Sequence, residues 1–141
     1  MTDFKKVFLD TAPFIYFLDN DPNFGKKVEQ IFSEFVQNEK YIVSSVISAE
    51  EYLVYPYRTD NTVKAETFWK FVYDNYIVLF PINKDIAVEA AKIRAEYKHI
   101  KTADALQLAA AICGGCDLFL TNDKQLKQFD KIKCVTVEEW S

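Results

Sequence analysis

Acidic side chains occur at or near the ends of apolar runs at four places in this sequence. Asp10 follows VFL and Asp123 follows LFLTN, while Glu51 lies within VISAEEYL and Asp104 within KTADALQLAAA. Ligand sites in open α/β sheets form beyond the carboxyl ends of the strands, so such a fold can gather these carboxylates into one pocket. Carboxylate oxygens are the ligands that Mg²⁺ and Mn²⁺ prefer. The pattern therefore predicts metal-dependent hydrolysis of a phosphodiester.

Each of these acids also has a local structural explanation. Asp10, Asp104 and Asp123 fall at predicted helix starts, where a carboxylate is stabilised by about 0.3–1 kcal/mol. Glu51 lies within a predicted helix beside Glu50, and one member of such a pair is usually solvated. If all four meet, however, two carboxylates about 4 Å apart repel by about 4 kcal/mol at an effective dielectric of 20. Convergence therefore predicts a bound cation or raised pKa values.

Strand-like and helix-like segments alternate along the chain. Short apolar runs predict strands at 5–9, 41–44, 77–80, 117–120 and 134–137. Apolar residues at helical spacing, with capping residues and prolines, predict helices from 10, over 22–38, 46–55, 61–76, 84–97 and 103–113, and a short helix near 123–129. We expect Pro56 to end the 46–55 helix, and Thr102 to cap the 103–113 helix. This alternation predicts an α/β fold with a mostly parallel sheet of about five strands, covered on both faces.

Length and composition predict a single domain over 1–141. Half of the residues are hydrophobic, with only three glycines and four prolines, which excludes disordered and fibrous classes. No apolar stretch is long enough to span a membrane and no signal peptide is apparent, so we expect a cytoplasmic protein. The net charge of −4 opposes sequence-indifferent binding to long nucleic acids.

The cysteine and histidine content argues against other chemistries. The three cysteines are predicted to be reduced, and the Cys113–Cys116 C-x-x-C motif closes a helix instead of opening one, which favours a structural terminus over thiol exchange. With a single histidine, His99, an ordinary zinc site is poorly supported. His99 is interpreted as a solvated loop residue, with a contact to a substrate phosphate as the alternative.

Aromatic residues are concentrated between Tyr52 and Tyr76. Most are expected in the core, but Tyr and Trp are also favoured anchors of protein interfaces. The surplus could serve a homodimer interface or a groove for a partner protein.

Taken together, FLDTAPFIYFL, SSVISAEEYLVYP, TADALQLAAA and LFLTNDKQL resemble the PIN-domain family, of the single-domain VapC-like toxin type, over nearly the whole chain. The resemblance implies a three-layer α/β/α fold. It also implies an Mg²⁺- or Mn²⁺-dependent endoribonuclease that hydrolyses RNA and is inhibited by a cognate antitoxin in a type II toxin–antitoxin pair.

The resemblance assigns roles to individual residues. Asp10, Asp104 and Asp123 match the family's aspartates and are the implied metal ligands. Glu51 matches the helix glutamate three positions after a Ser or Thr, here Ser48, with Glu50 as the alternative register. These four acids are the implied catalytic residues, and the implied supporting residues are Thr11, Thr121 and Asn122.

The chain is poor in arginine, so substrate contacts are expected from lysines such as Lys101 and Lys124. Within this scheme a divalent ion activates water for in-line attack on the phosphodiester, and one ion or two would serve. The alternative hypothesis is a non-catalytic PIN-like module that binds RNA or acts as a scaffold.

Overall fold

A computed structural model describes residues 3–141, so the first two residues of the predicted 1–141 domain lie outside it. The strands are β1 (Lys6–Leu9), β2 (Tyr41–Ser45), β3 (Val78–Phe80), β4 (Leu118–Thr121) and β5 (Lys133–Thr136). The helices are α1 (Thr11–Leu18), α2 (Gly25–Gln37), α3 (Val46–Arg58), α4 (Thr62–Asp74), α5 (Lys84–Glu96) and α6 (Thr102–Cys113), and a 3₁₀ helix covers Lys124–Gln128.

The five strands form one parallel sheet in the order β3-β2-β1-β4-β5. The chain starts in the centre, builds outward to β3, and then crosses back so that β4 pairs with the other side of β1. Neighbouring β1 and β4 are therefore the topological switch point, where their connections leave in opposite directions. Ligand sites in sheets of this kind form at that point, beyond the carboxyl ends of the strands.

Two hydrophobic clusters cover the two faces of the sheet. In β1, Val7 and Leu9 belong to the cluster that also holds residues of α1 to α4, whereas Phe8 belongs to the cluster packed against α5 and α6. This alternation follows from the two-residue period of a strand. The three-layer α/β/α arrangement with five strands agrees with the sequence prediction, and every strand pair is parallel.

Two local predictions were wrong. The helix predicted to stop before Pro56 continues to Arg58 and buries Pro56. Proline costs the helix one N–H donor, and burial of its ring offsets that loss; the Pro56 carbonyl accepts the backbone N–H of Asn61 at 2.8 Å just beyond the end of the helix. Thr102 is the first residue of α6 and not its cap; Lys101 occupies the cap position and makes no side-chain cap hydrogen bond.

The remaining element boundaries shift by up to three residues from the predicted ones. The short segment after β4 is a 3₁₀ helix with Asp123 at its N-cap. At the other end of α6, Gly115 adopts a φ of +69°, as expected for a left-handed helix terminus. Between residues 3 and 141 there is no helix of the length and apolar character that a bilayer crossing requires.

Candidate active site

The candidate site lies at the switch point between β1 and β4. Asp10 immediately follows β1, and its backbone N–H donates to the carbonyl of Leu120 in β4 at 2.9 Å. Thr121, the last residue of β4, donates its hydroxyl to Asp10 Oδ2 at 2.7 Å. The parallel pairing of the two strands therefore places residues 111 positions apart in direct contact.

Asp10 is a buried carboxylate that also caps α1. Its Oδ1 accepts the backbone N–H of Thr11 at 2.9 Å, and Gln107 Nε2 lies 3.5 Å from the same oxygen. The side chain is only 9% exposed. The pKa of Asp10 is raised from 3.8 to about 6. Burial is the largest cause of this raised pKa, the hydrogen bonds from Thr121 and Thr11 oppose it, and the charges of Asp104 and Glu51 add to it.

Asp104 stands in the first turn of α6, half-buried and close enough to the other acids to interact with them. Its pKa is raised chiefly by burial and then by the negative charges of Asp123 and Glu51, while the charge of Lys101 lowers it. None of the ion pairs found between residues 3 and 141 includes Asp10, Glu51, Asp104 or Asp123. The four acids, which we call the acidic site, are thus gathered without a paired lysine or arginine.

Asp123 reaches this site from the loop after β4. Its backbone N–H donates to Thr121 Oγ1 at 3.1 Å, and its Oδ1 accepts the N–H of Gln125 to cap the 3₁₀ helix at 2.9 Å. Thr121 therefore connects Asp10 and Asp123, donating to the first and accepting from the second.

Glu51, and not Glu50, is the helix acid at the site. Thr11 donates its hydroxyl to Glu51 Oε1, and the charge of Glu51 contributes to the raised pKa values of Asp10 and Asp104. Glu50 is exposed, and its side chain forms no hydrogen bond or ion pair with any part of the chain that the structure describes. One residue along a helix turns a side chain by about 100°, which separates the two positions.

A buried polar network that was not predicted from the sequence lies beneath the acidic site. Gln107, 1% exposed, donates from Nε2 to Ser48 Oγ at 2.8 Å and accepts through Oε1 from Ser45. Ser44 donates to the carbonyl of Leu9 at 2.6 Å and lies 2.8 Å from Ser48 Oγ. A lone glutamine three residues after Asp104, inside the apolar run ALQLAAA, was the available signal.

The supporting residues predicted from the sequence occupy different positions. Thr11 and Thr121 both hydrogen-bond acids of the site. Asn122 instead donates from Nδ2 to the hydroxyl of Tyr16 at 2.9 Å, and its buried Oδ1 has no hydrogen-bond partner among residues 3–141. The side chain of Asn122 is therefore hydrogen-bonded to α1 and to none of the four acids.

The lysines and the histidine lie around the site. Lys124 pairs with Glu138 at 3.1 Å, on the exposed surface. Lys101 is exposed, and its charge acts on Asp104. His99 is exposed on the α5–α6 connection and lines a cavity that also reaches Asp104.

The three cysteines are free, and burial raises the pKa of Cys116 to about 12.

The donor set is suited to a hard divalent cation. As the side chains stand, no group of three or more His, Cys, Asp or Glu residues within 3–141 is arranged to hold a metal ion. Magnesium does not require three protein ligands, since it usually binds one or two carboxylates and completes its octahedral coordination with water and substrate phosphate oxygens. Unpaired carboxylates with raised pKa values are a suitable environment for such an ion.

Comparison with solved structures supports the fold. VapBC2 from Rickettsia felis, solved bound to a DNA fragment from its promoter, superposes with a TM-score of 0.76 at 14% identity, over 93% of this chain and 98% of that chain. FitAcB from Neisseria gonorrhoeae gives 0.72 at 17% identity, over 95% and 99%. A toxin–antitoxin complex from Klebsiella pneumoniae gives 0.67 at 22% identity, over 93% and 97%.

Comparison of the sequence with curated proteins found no match. The profile of the PIN domain, in contrast, matches residues 7–132, from the second residue of β1 to the residue before β5. The chain belongs to the PIN-domain family.

Proposed function

We propose that this protein is a divalent-metal-dependent endoribonuclease and the toxin of a type II toxin–antitoxin pair. The observation that carries the proposal is the acidic site itself. Four carboxylates from separate elements meet at the switch point of the sheet, and the most buried of them, Asp10, has a pKa raised to about 6 and pairs with no lysine or arginine among residues 3–141. A site of this kind gains stability from a cation.

In this proposal Asp10 and Asp104 are the central ligands of Mg²⁺ or Mn²⁺, and Asp123 assists them directly or through water. The ion would lower the pKa of a water molecule and offset charge on the phosphate oxygens. Thr121 holds Asp10 in place through its hydroxyl, and the Thr11 hydroxyl does the same for Glu51. Glu51 is then placed to orient the attacking water or to accept its proton.

The activity is tested by cleavage of single-stranded RNA in the presence of Mg²⁺ or Mn²⁺ and of EDTA. Loss of a group that transfers a proton costs about 100-fold or more, so Glu51→Gln should lower the rate by at least that factor. Glu50→Gln is the matched control, because its carboxylate lies one residue away and contacts no acid of the site. We expect Glu50→Gln to cleave at the wild-type rate and Asp104→Asn to be inactive.

The competing hypothesis, a non-catalytic PIN-like module, makes a different prediction. Such a protein binds RNA or metal, but wild type and Asp104→Asn then show the same absence of cleavage. Equal, metal-independent cleavage by both would indicate a contaminating nuclease and would also contradict the proposed activity.

The proposed antitoxin contact is an apolar groove on the α1–α2–α4 face of the sheet. A cavity of about 370 Å³ is lined by Phe17 of α1, Phe32 and Val36 of α2, and Phe71 of α4. The apolar face of an amphipathic helix binds such grooves. The similarity to a toxin–antitoxin complex from Klebsiella pneumoniae supports a protein partner of this class.

Val36 is 63% exposed and offers a direct test of that groove. We expect Val36→Asp to prevent co-purification with the protein encoded by an adjacent short gene, while Val63→Asp, at a 70% exposed position of α4 outside the groove, leaves it intact. Equal binding by both variants would show that the partner binds a different surface.

We also propose a cytoplasmic location for the protein.

A further inference from the structure

A second cavity adjoins the acidic site on the α5–α6 side of the sheet. It has a volume of about 290 Å³, and Asp104 forms part of its wall. The remaining wall comes from the α5–α6 connection and from the 3₁₀ helix that Asp123 caps. Asp104 thus borders the cavity, and Asp123 caps the helix that forms another part of its wall. If a substrate phosphate lies at the acidic site, the groups next to that phosphate lie close to the cavity mouth.

The aromatic wall of the cavity is held rigidly. Tyr97 packs against Phe129 with ring centroids 5.1 Å apart, and its hydroxyl donates to Asp130. These two contacts restrict the ring on both its apolar and its polar side. An unpaired base can stack on a fixed aromatic ring, and the stacking energy is favourable for any of the four bases.

The polar wall carries amide groups that are available to a ligand. Gln125 and Gln128 both line the cavity. Their side chains form no hydrogen bond within residues 3–141, and the contact of Gln125 with Asp123 uses only its backbone N–H. A carboxamide offers two donors and an acceptor, which can pair with the edge of a base.

Size and charge select the kind of group that enters. A volume of about 290 Å³ lies at the lower end of small-ligand pockets, so it can hold one planar ring and not a base-paired duplex. Asp104 lines the same cavity, and its carboxylate, which has no ion-pair partner within residues 3–141, disfavours a phosphate inside it, whereas the carboxylate of Glu96 is paired with Lys131 at 2.8 Å. Lys98 and His99 are exposed at this wall, where they can contact the flanking phosphates.

We propose that this cavity receives one unpaired nucleobase of single-stranded RNA, adjacent to the phosphodiester at the acidic site, and that Gln125 and Gln128 set a base preference there. The inference rests on the proposed ribonuclease function for the position of the RNA. It adds to that function a base-binding subsite, which selects single-stranded over duplex RNA and some bases over others.

The test measures binding separately from cleavage. A short single-stranded oligoribonucleotide carries the fluorescent base 2-aminopurine at each position in turn, and it is titrated with Asp10→Asn protein so that cleavage does not interfere. We expect one position to change its fluorescence on binding. Adding Gln125→Ala and Gln128→Ala should weaken binding about tenfold and abolish that change. Gln30→Ala, at an exposed position of α2, is the matched control and should have no effect.

Tyr97 provides the second measurement. Tyr97→Phe keeps the ring and should retain the fluorescence change, whereas Tyr97→Leu should lose it. Cleavage of a randomised oligoribonucleotide pool by the wild-type protein, compared with the double glutamine variant, then reports the base preference.

The outcomes separate the two proposals. If wild type cleaves RNA but the glutamine variants keep its affinity and base preference, the subsite is refuted while the ribonuclease stands. If one base enters the cavity but no metal-dependent cleavage occurs, the subsite stands and the ribonuclease is refuted. Absence of any binding by the oligoribonucleotide, or equal affinity for its duplex form, also refutes the subsite.

Discussion

Replacing Asp10 by asparagine should stabilise the metal-free protein, although it removes a central ligand of the proposed site. The pKa of Asp10 rises from 3.8 to about 6 on folding, mainly through burial. A shift of this size corresponds to about 3 kcal/mol of destabilisation once the carboxyl is ionised in both the folded and the unfolded state. Asparagine has nearly the same shape, carries no charge and can still accept the backbone N–H of Thr11.

The sign of the pH dependence follows from which state binds the proton. Between about pH 4 and pH 6 the folded protein retains the Asp10 proton and the unfolded chain has lost it, so stability falls as the pH rises through this window. Asp104 and Glu51, the charges that raise this pKa, are present in wild type and variant alike. The advantage of Asp10→Asn should therefore be close to zero near about pH 4 and reach up to about 3 kcal/mol above about pH 7.

Urea unfolding in EDTA, repeated across this pH range, measures the effect. Glu50→Gln is the control for loss of an acidic charge on the surface. Added Mg²⁺ should narrow the difference and, at about 1,000 times its dissociation constant, reverse the order, because binding then stabilises the folded state by about 4.1 kcal/mol and only wild type keeps the full site. An Asp10→Asn variant that is less stable than wild type near neutral pH in EDTA, or a difference that does not vary with pH, would refute the reasoning.

Three further predictions test the surroundings of the site and the aromatic surface. Thr121→Val removes the hydroxyl that donates to Asp10 and should raise the Asp10 pKa above that of wild type in an NMR titration, whereas Thr121→Ser should preserve it. Gln107→Glu places another carboxylate against Asp10 and two serines at constant shape, so we expect a loss of about 1–3 kcal/mol in urea unfolding at neutral pH; an unchanged midpoint would show that this network does not constrain the site. We also propose a homodimer through the surface beside β3, where Tyr73 is 83% exposed. Light scattering should show a dimer that Tyr73→Glu dissociates and that Tyr57→Glu leaves intact. A wild-type monomer at micromolar concentration would contradict this proposal.

Much of the fold could be predicted because its signals are local. A buried parallel strand is a short apolar run, and a helix start carries a capping side chain; VFL followed by Asp10 shows both signals within a few residues. The same local logic predicted that acids at strand ends would meet, since all parallel strands end on one edge of the sheet. Failures also came from local rules, as at Pro56, which is buried within a helix that continues to Arg58.

The chemistry of the site depended on contacts that no local pattern contains. The sequence alone determined which elements form and which acids follow them, because period, capping and turn preferences act over a few residues. Only the tertiary structure decided that β4 pairs beside β1, that Glu51 and not Glu50 faces Thr11, and that Gln107 links Ser45 and Ser48 below Asp10. Strand order, side-chain direction and burial are properties of the packed chain, and burial is what raises the pKa of Asp10.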